Sequence, residues 1–155
     1  MAPTAVLITG ANRGIGKGIL EIYLEKPNHT AEGTTLHVIE IDSTSPTDSA
    51  DAVKGLQTVE GIGHIDILIA NDRGQGSKMG DYWIKRCFLN SRLQTCHINW
   101  VQTKMGNRGA HAVGVEKAVV KVQDSTTGIV KIIDTSTRET YSGKLFKPTG
   151  NEEPR

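Results

Sequence analysis

The sequence has little cysteine, little net charge and no long apolar run, and each shortage excludes something. Two cysteines, Cys87 and Cys96, in 155 residues build no disulfide framework and fit a reducing, cytoplasmic compartment. Eighteen basic residues offset 17 acidic ones, for a formal net charge of +1. No strong field is therefore available to steer the chain onto nucleic acid or a membrane surface, and neither is expected as a partner. No apolar run reaches the length of a membrane span, and no basic region leads a long apolar core at the N-terminus. Hydrophobic residues make up 37% of the chain, below the roughly 45–50% of a typical domain, so part of it is expected to pack poorly. The length fits a single domain over residues 1–155 but is small for a six-stranded nucleotide fold.

Against these shortages stands a supply of glycine in one place. The apolar run Ala5-Val6-Leu7-Ile8 leads into Thr9-Gly10-Ala11-Asn12-Arg13-Gly14-Ile15-Gly16, and a segment with apolar residues at helical spacing (Ile15, Ile19, Leu20, Ile22, Tyr23) follows. This reads as a buried strand, a glycine turn and a helix. Glycines let the backbone turn sharply and approach a bound group with no Cβ in the way. A helix opening there directs unpaired N–H groups and its positive dipole end at whatever occupies the turn, which suits a pyrophosphate. The spacing is not G-x-G-x-x-G. Nor is it the loop of the GTPase type, because Ala11 and Gly18 stand where that motif needs Gly and Ser or Thr.

The first helix is expected from Gly14 to Glu25, before Pro27. Thr35 to Asp42 reads as a β-branched strand ending in an acid, Ser49 to Val59 as a helix, and Ile65 to Ala70 as a buried strand closed by Asn71. Residues 1–71 thus alternate strand and helix as a parallel α/β sheet does. Residues 72–100 are irregular. Gly114 to Val122 and Thr127 to Ile133 read as short helices, Lys144 to Phe146 as a last strand, and 151–155 as a loose tail.

With the glycine turn in place, the chain resembles the short-chain dehydrogenase/reductases, whose motif is T-G-x-x-x-G-x-G, and most of all fungal polyketide-toxin ketoreductases and related carbonyl reductases. The resemblance implies a Rossmann-like parallel sheet with flanking helices, here lacking its second strand and its central catalytic units. It implies cofactor contacts at Gly10, Asn12, Arg13, Gly14, Ile15 and Gly16. Asp42 is similar to the acid that contacts the adenine ring, Asn71 to the start of the family's Asn-Ala-Gly motif, and Thr103 to a threonine at the nicotinamide end. The departures are specific. Asp72-Arg73 follow Asn71 where Ala-Gly is expected, and Ile98-Asn99-Trp100 precede Val101 where Pro-Gly and an aromatic are expected. The intervening residues 72–100 are too few for the family's catalytic serine and Tyr-x-x-x-Lys helix.

That chemistry needs a phenol whose pKa is lowered by a lysine one helical turn on. Tyr82 has Lys85 at i+3 and Arg86 at i+4; it is the nearest candidate acid, although an exposed aromatic-basic loop explains the same residues. Tyr23 and Tyr141 read as packing residues. Cys87, Cys96, His97 and His64 do not have zinc spacing, and no metal is expected. Arg13 inside the turn favours the 2′-phosphate of NADP. If Thr35–Asp42 filled the place of the missing strand, Glu40 or Asp42 would favour NAD instead. Two functions are therefore expected as alternatives. One is an NADP-dependent oxidoreductase acting on a ketone or aromatic polyketide carbonyl, in secondary metabolism. The other is a shortened relative that keeps part of a nucleotide site without catalysis.

Overall fold

The computed structural model describes residues 4–26, 35–42, 44–69, 71, 95–96, 100–137, 145–146 and 149–153. Its elements are, in chain order, β1 (Val6–Ile8), α1 (Gly14–Glu25), α2 (Asp48–Thr58), β2 (Ile67–Ile69), β3 (Thr95–Cys96), α3 (Lys104–Ala112), α4 (Val122–Thr135), β4 (Leu145–Phe146) and β5 (Glu152–Glu153). The chain divides into two compact units, residues 1–9 with 31–91 and residues 10–30 with 92–155. Among the described residues no helix is long and apolar enough to cross a membrane.

In the first unit β1 and β2 pair in parallel, Val6 opposite Ile67, Leu7 opposite Leu68 and Ile8 opposite Ile69. Parallel strands need a long connection, and α2 lies within it. Ala52 of α2 and Leu68 of β2 are buried together, with Leu7, Ile41 and Val53 packed against them. This is a partial Rossmann-like α/β arrangement. The Ala5–Ile8 run is half-buried rather than buried, because β1 is paired along one edge and no other described strand covers the second edge.

Helix α2 starts after a dense turn. Ser45 Oγ accepts from the Asp48 amide at 3.3 Å and donates to Asp48 Oδ1. Asp48 and Asp51 in the first turn face the positive end of the dipole. The helix stops where Gly61 takes φ 67°, which lets the Ile62 N–H return to the Leu56 carbonyl at 2.9 Å.

The expected strand at Thr35–Asp42 does not form. The segment belongs to no sheet, and Leu36 and Val38 are 52% and 83% exposed. Its β-branched composition favours a strand only where a neighbour completes the ladder. The neighbour that the resemblance supplies, the second strand, has no counterpart in the sequence.

In the second unit α1 packs against α4. Helix α1 buries Gly16, Ile19 and Tyr23, and α4 buries Ser125, Thr126, Ile129, Val130 and Ile132. A fully buried isoleucine is worth roughly 1.5–3 kcal/mol, so Ile19, Ile129 and Ile132 dominate this contact. The helices approach most closely at Gly18, where a Cβ would stand 2.9 Å from Thr126 Cγ2. At the far end Lys26 Nζ contacts both Asp134 oxygens at 2.7 Å and lies 3.9 Å from the Tyr23 ring centroid.

Three further expectations change here. Gly114–Val122 is not a helix: Gly114 takes φ 78°, and Val120 forms a parallel bridge with Val101. The Gln102 side chain donates to the Ala118 carbonyl at 3.0 Å, and Asn107 Oδ1 accepts from the Ala118 amide at 3.0 Å, so these two amide side chains take up the backbone groups that a helix would use. The second expected helix is longer than its predicted Thr127–Ile133, running as α4 from Val122. The tail read as loose contributes β5, antiparallel to β4, which in turn pairs in parallel with β3. A strand forms at Leu145–Phe146 as expected, though β5 follows it, and α1 runs from Gly14 to Glu25 as expected.

The Gly18 contact yields a test by substitution. Gly18→Ala gains up to about 1 kcal/mol of helix propensity but forces a methyl onto Thr126, an overpacking cost of about 1–3 kcal/mol. A net loss of about 1 kcal/mol is expected in denaturant unfolding. Adding Thr126→Ser, which removes the facing methyl, should restore the midpoint to wild type or above.

Candidate functional site

The glycine turn adopts the conformation that its residues permit. Gly10 and Gly14 take φ 62° and 57°, the left-handed region where a side chain is strained. Arg13 precedes α1 with extended backbone, φ −161° and ψ 168°, and makes no side-chain cap to the helix. The first intrahelical bond runs from the Lys17 N–H to the Arg13 carbonyl at 3.3 Å. The first turn of α1 holds no acidic residue. Its leading amides thus stand at the positive end of the helix with no acidic side chain in that turn, a condition that favours anion binding. Asn12 and Arg13 are exposed, Ile15 is half-buried and Gly16 is buried.

Thr103 meets this turn. A Cβ on Gly14 would stand 3.3 Å from Thr103 Cγ2, so the threonine methyl crowds the place where a side chain there would begin. The Thr103 hydroxyl accepts from the Gly106 N–H at 3.1 Å and caps α3. The start of α3 is confined further by Gly106, where any Cβ would overlap the Val101 carbonyl. Trp100 rests over Gly109, its Nε1 3.2 Å from the place of a Cβ. The Gly14–Thr103 juxtaposition was not visible in the sequence, because no spacing rule connects positions 89 residues apart.

In the first unit the ends of β1 and β2 are tied together. The Asn71 N–H reaches Thr9 Oγ1 at 3.1 Å, and the Thr9 N–H donates to the Ile69 carbonyl at 3.0 Å. The motif threonine and the strand-closing asparagine therefore meet. Asp42 is exposed, and its Oδ1 accepts from the Thr44 hydroxyl at 2.7 Å and the Thr44 amide at 2.8 Å. These bonds, the hydroxyl's first, hold the Asp42 carboxyl below its ordinary pKa. Since residues 35–42 do not join the β1 sheet, neither Glu40 nor Asp42 takes the place of the missing strand. Glu40 instead lines a groove of about 410 Å³ with Ile39, Asp48, Asp51, Val59 and Glu60.

Tyr23 and Lys26 are a phenol and an amine in contact, but the chemistry is opposite to what catalysis needs. Burial, and then the charge and hydrogen bond of Asp134, push the Tyr23 pKa far up. It is a packing residue, as its place on α1 implied. Tyr82, Lys85, Arg86, Cys87, His97 and Tyr141 lie outside the described residues. His64 is exposed, with Nε2 3.5 Å from Asp66 Oδ2. Among the described residues no three His, Cys, Asp or Glu side chains converge as a metal site.

No family model matches the chain. A norsolorinic acid ketoreductase of Aspergillus parasiticus is 24% identical, over 90% of this chain and 86% of its own length. A second norsolorinic acid ketoreductase, of Dothistroma septosporum, is 25% identical over 92% and 89%. A short-chain dehydrogenase of Pyricularia oryzae is 41% identical, over 48% of this chain and only 38% of its own length. The chain thus resembles short-chain dehydrogenases and fungal ketoreductases at modest identity. The first two alignments run over 234 and 238 positions, more than the 155 residues present. They cross gaps where those relatives carry internal sequence that this chain lacks.

The Asp42 turn gives a pH test. A carboxyl whose folded pKa is depressed stabilises the fold above its unfolded pKa, and that stabilisation is lost as pH falls through the folded value. Thr44→Ala removes the larger of the two bonds and keeps the amide. The Asp42 carboxyl should then titrate at higher pH than in wild type by NMR, part of the way back to the ordinary value.

Proposed function

We propose that this chain is a shortened short-chain reductase that binds NADP and acts on a ketone or aromatic polyketide carbonyl in the cytoplasm. One observation carries the reading: α1 opens on two left-handed glycines with no side-chain cap and no acid in its first turn. A dinucleotide pyrophosphate matches that helix start, whose left-handed glycines leave the approach to its amides free of a Cβ. The amides at Gly14, Ile15 and Gly16 are assigned to hold it, with Gly10 and Asn12 shaping the approach. Exposed Arg13 grips the 2′-phosphate, a bidentate contact that a lysine would not reproduce. The nicotinamide, when bound, exchanges hydride with the carbonyl. Asp42 is assigned to the adenine ring and Asn71 to the cofactor site by resemblance alone. The preference for NADP is supported by the failure of residues 35–42 to bring an acid into the second-strand position.

A second reading, a nucleotide-binding relative without turnover, is favoured by the gapped alignments and by the sequence. No tyrosine has lysine at i+4: Pro27 follows Tyr23, Arg86 follows Tyr82 and Leu145 follows Tyr141 at that spacing.

Fluorescence titration with NADPH and NADH tests binding. Arg13→Ala should weaken NADPH by about tenfold or more, the size of one charge-assisted contact, and leave NADH nearly unchanged. Equal loss for both cofactors would remove the 2′-phosphate role, and no binding by wild type would end the cofactor reading. Quinone or aromatic ketone added to the complex then separates the two readings. Turnover abolished by Tyr82→Phe favours the reductase, and absence of turnover favours the binding relative.

A further inference from the structure

We infer that Thr103 is a positioning residue that buttresses the glycine turn through its methyl group, its hydroxyl serving α3 rather than the ligand. The inference rests on the dinucleotide reading only for its binding arm. Its structural basis is a chain of contacts within the second unit. The Val101–Val120 bridge is flanked by Gln102 N–H to the Val120 carbonyl at 2.8 Å and Val120 N–H to the Trp100 carbonyl at 2.9 Å. Gln102 and Asn107 side chains fasten the same two segments at Ala118. Gly106 closes against Val101. Thr103 therefore stands on a braced platform, and its bond from the Gly106 N–H at 3.1 Å fixes the Cβ rotation. That rotation directs Cγ2 at Gly14. Gly14 is a left-handed glycine, the most conformationally permissive residue type, at the first position of a helix with no side-chain cap. A methyl against it restricts the freedom that glycine leaves open, and so pre-orders the amides of the turn.

Two substitutions divide the functions of the side chain. Thr103→Ser keeps the hydroxyl cap and loses the methyl. Thr103→Val keeps a methyl on both branches and loses the cap. The buttress predicts that the serine variant binds NADPH roughly three- to fivefold more weakly, the scale of one methyl contact. The valine variant should bind nearly as wild type while melting at lower temperature through loss of the cap. A hydroxyl acting on the ligand predicts the reverse order of affinities and would overturn the inference. A ligand-free readout keeps it separate from the cofactor assignment: NMR order parameters of the Gly14, Ile15 and Gly16 amides. They should fall in the serine variant and hold in the valine variant, even if wild type fails to bind NADPH. If the valine variant does not fold, unchanged order parameters in the serine variant overturn the inference by themselves.

Discussion

The close approach of α1 to α4 at Gly18 is the constraint on which the second unit depends. Helix α1 has no side-chain cap at its start, and its packing on α4 rests on the buried Ile19 and Tyr23 of one helix and Thr126, Ile129 and Val130 of the other. A side chain at position 18 would hold the helices apart and withdraw that contact. Because α1 is one continuous helix of 12 residues, fixing its middle also fixes where its first amides emerge. The glycine turn is then a product of helix packing as much as of glycine content. The ion pair of Lys26 with Asp134 closes the opposite end, but as a partly exposed pair it adds little beyond orientation.

Much of this arrangement was legible where a residue pattern reports on its own neighbourhood. The apolar spacing after Gly14 and the stop before Pro27 bounded α1, and the run around Leu68 announced β2. What was illegible depended on partners far away in sequence. Thr35–Asp42 has the composition of a strand and is not one, because strand formation is decided by a neighbouring ladder that composition does not contain. Residues 114–120 failed in the other direction. Their spacing suits a helix, yet the side chains of Gln102 and Asn107 bond the Ala118 backbone and the segment is not helical.

The site divides along the same line. Glycine requirements at 10 and 14 were readable because a left-handed backbone has one cheap solution. The meeting of Thr103 with Gly14 was not, nor was the use of the Asp42 carboxylate by Thr44, since each is a tertiary or turn-specific hydrogen-bonding outcome. The family likeness assigned Thr103 to the nicotinamide end and left open which of its two branches faces the glycine turn. Thr9 and Asn71 show the favourable case: two motif residues that the parallel pairing of β1 and β2 brings together because both close strands of equal length.

The unpaired stretch at residues 35–42 has a consequence for life in a crowded solution. A β-branched run outside any described sheet, with Leu36 and Val38 open to solvent, offers a template onto which another chain's strand can dock, and such templates seed aggregation. Glu40 and Asp42, both exposed, act there as gatekeepers, because in-register parallel stacking of copies would bring like charges together. The same two carboxylates, which belong to no strand among the described residues, thus stand where they oppose such stacking.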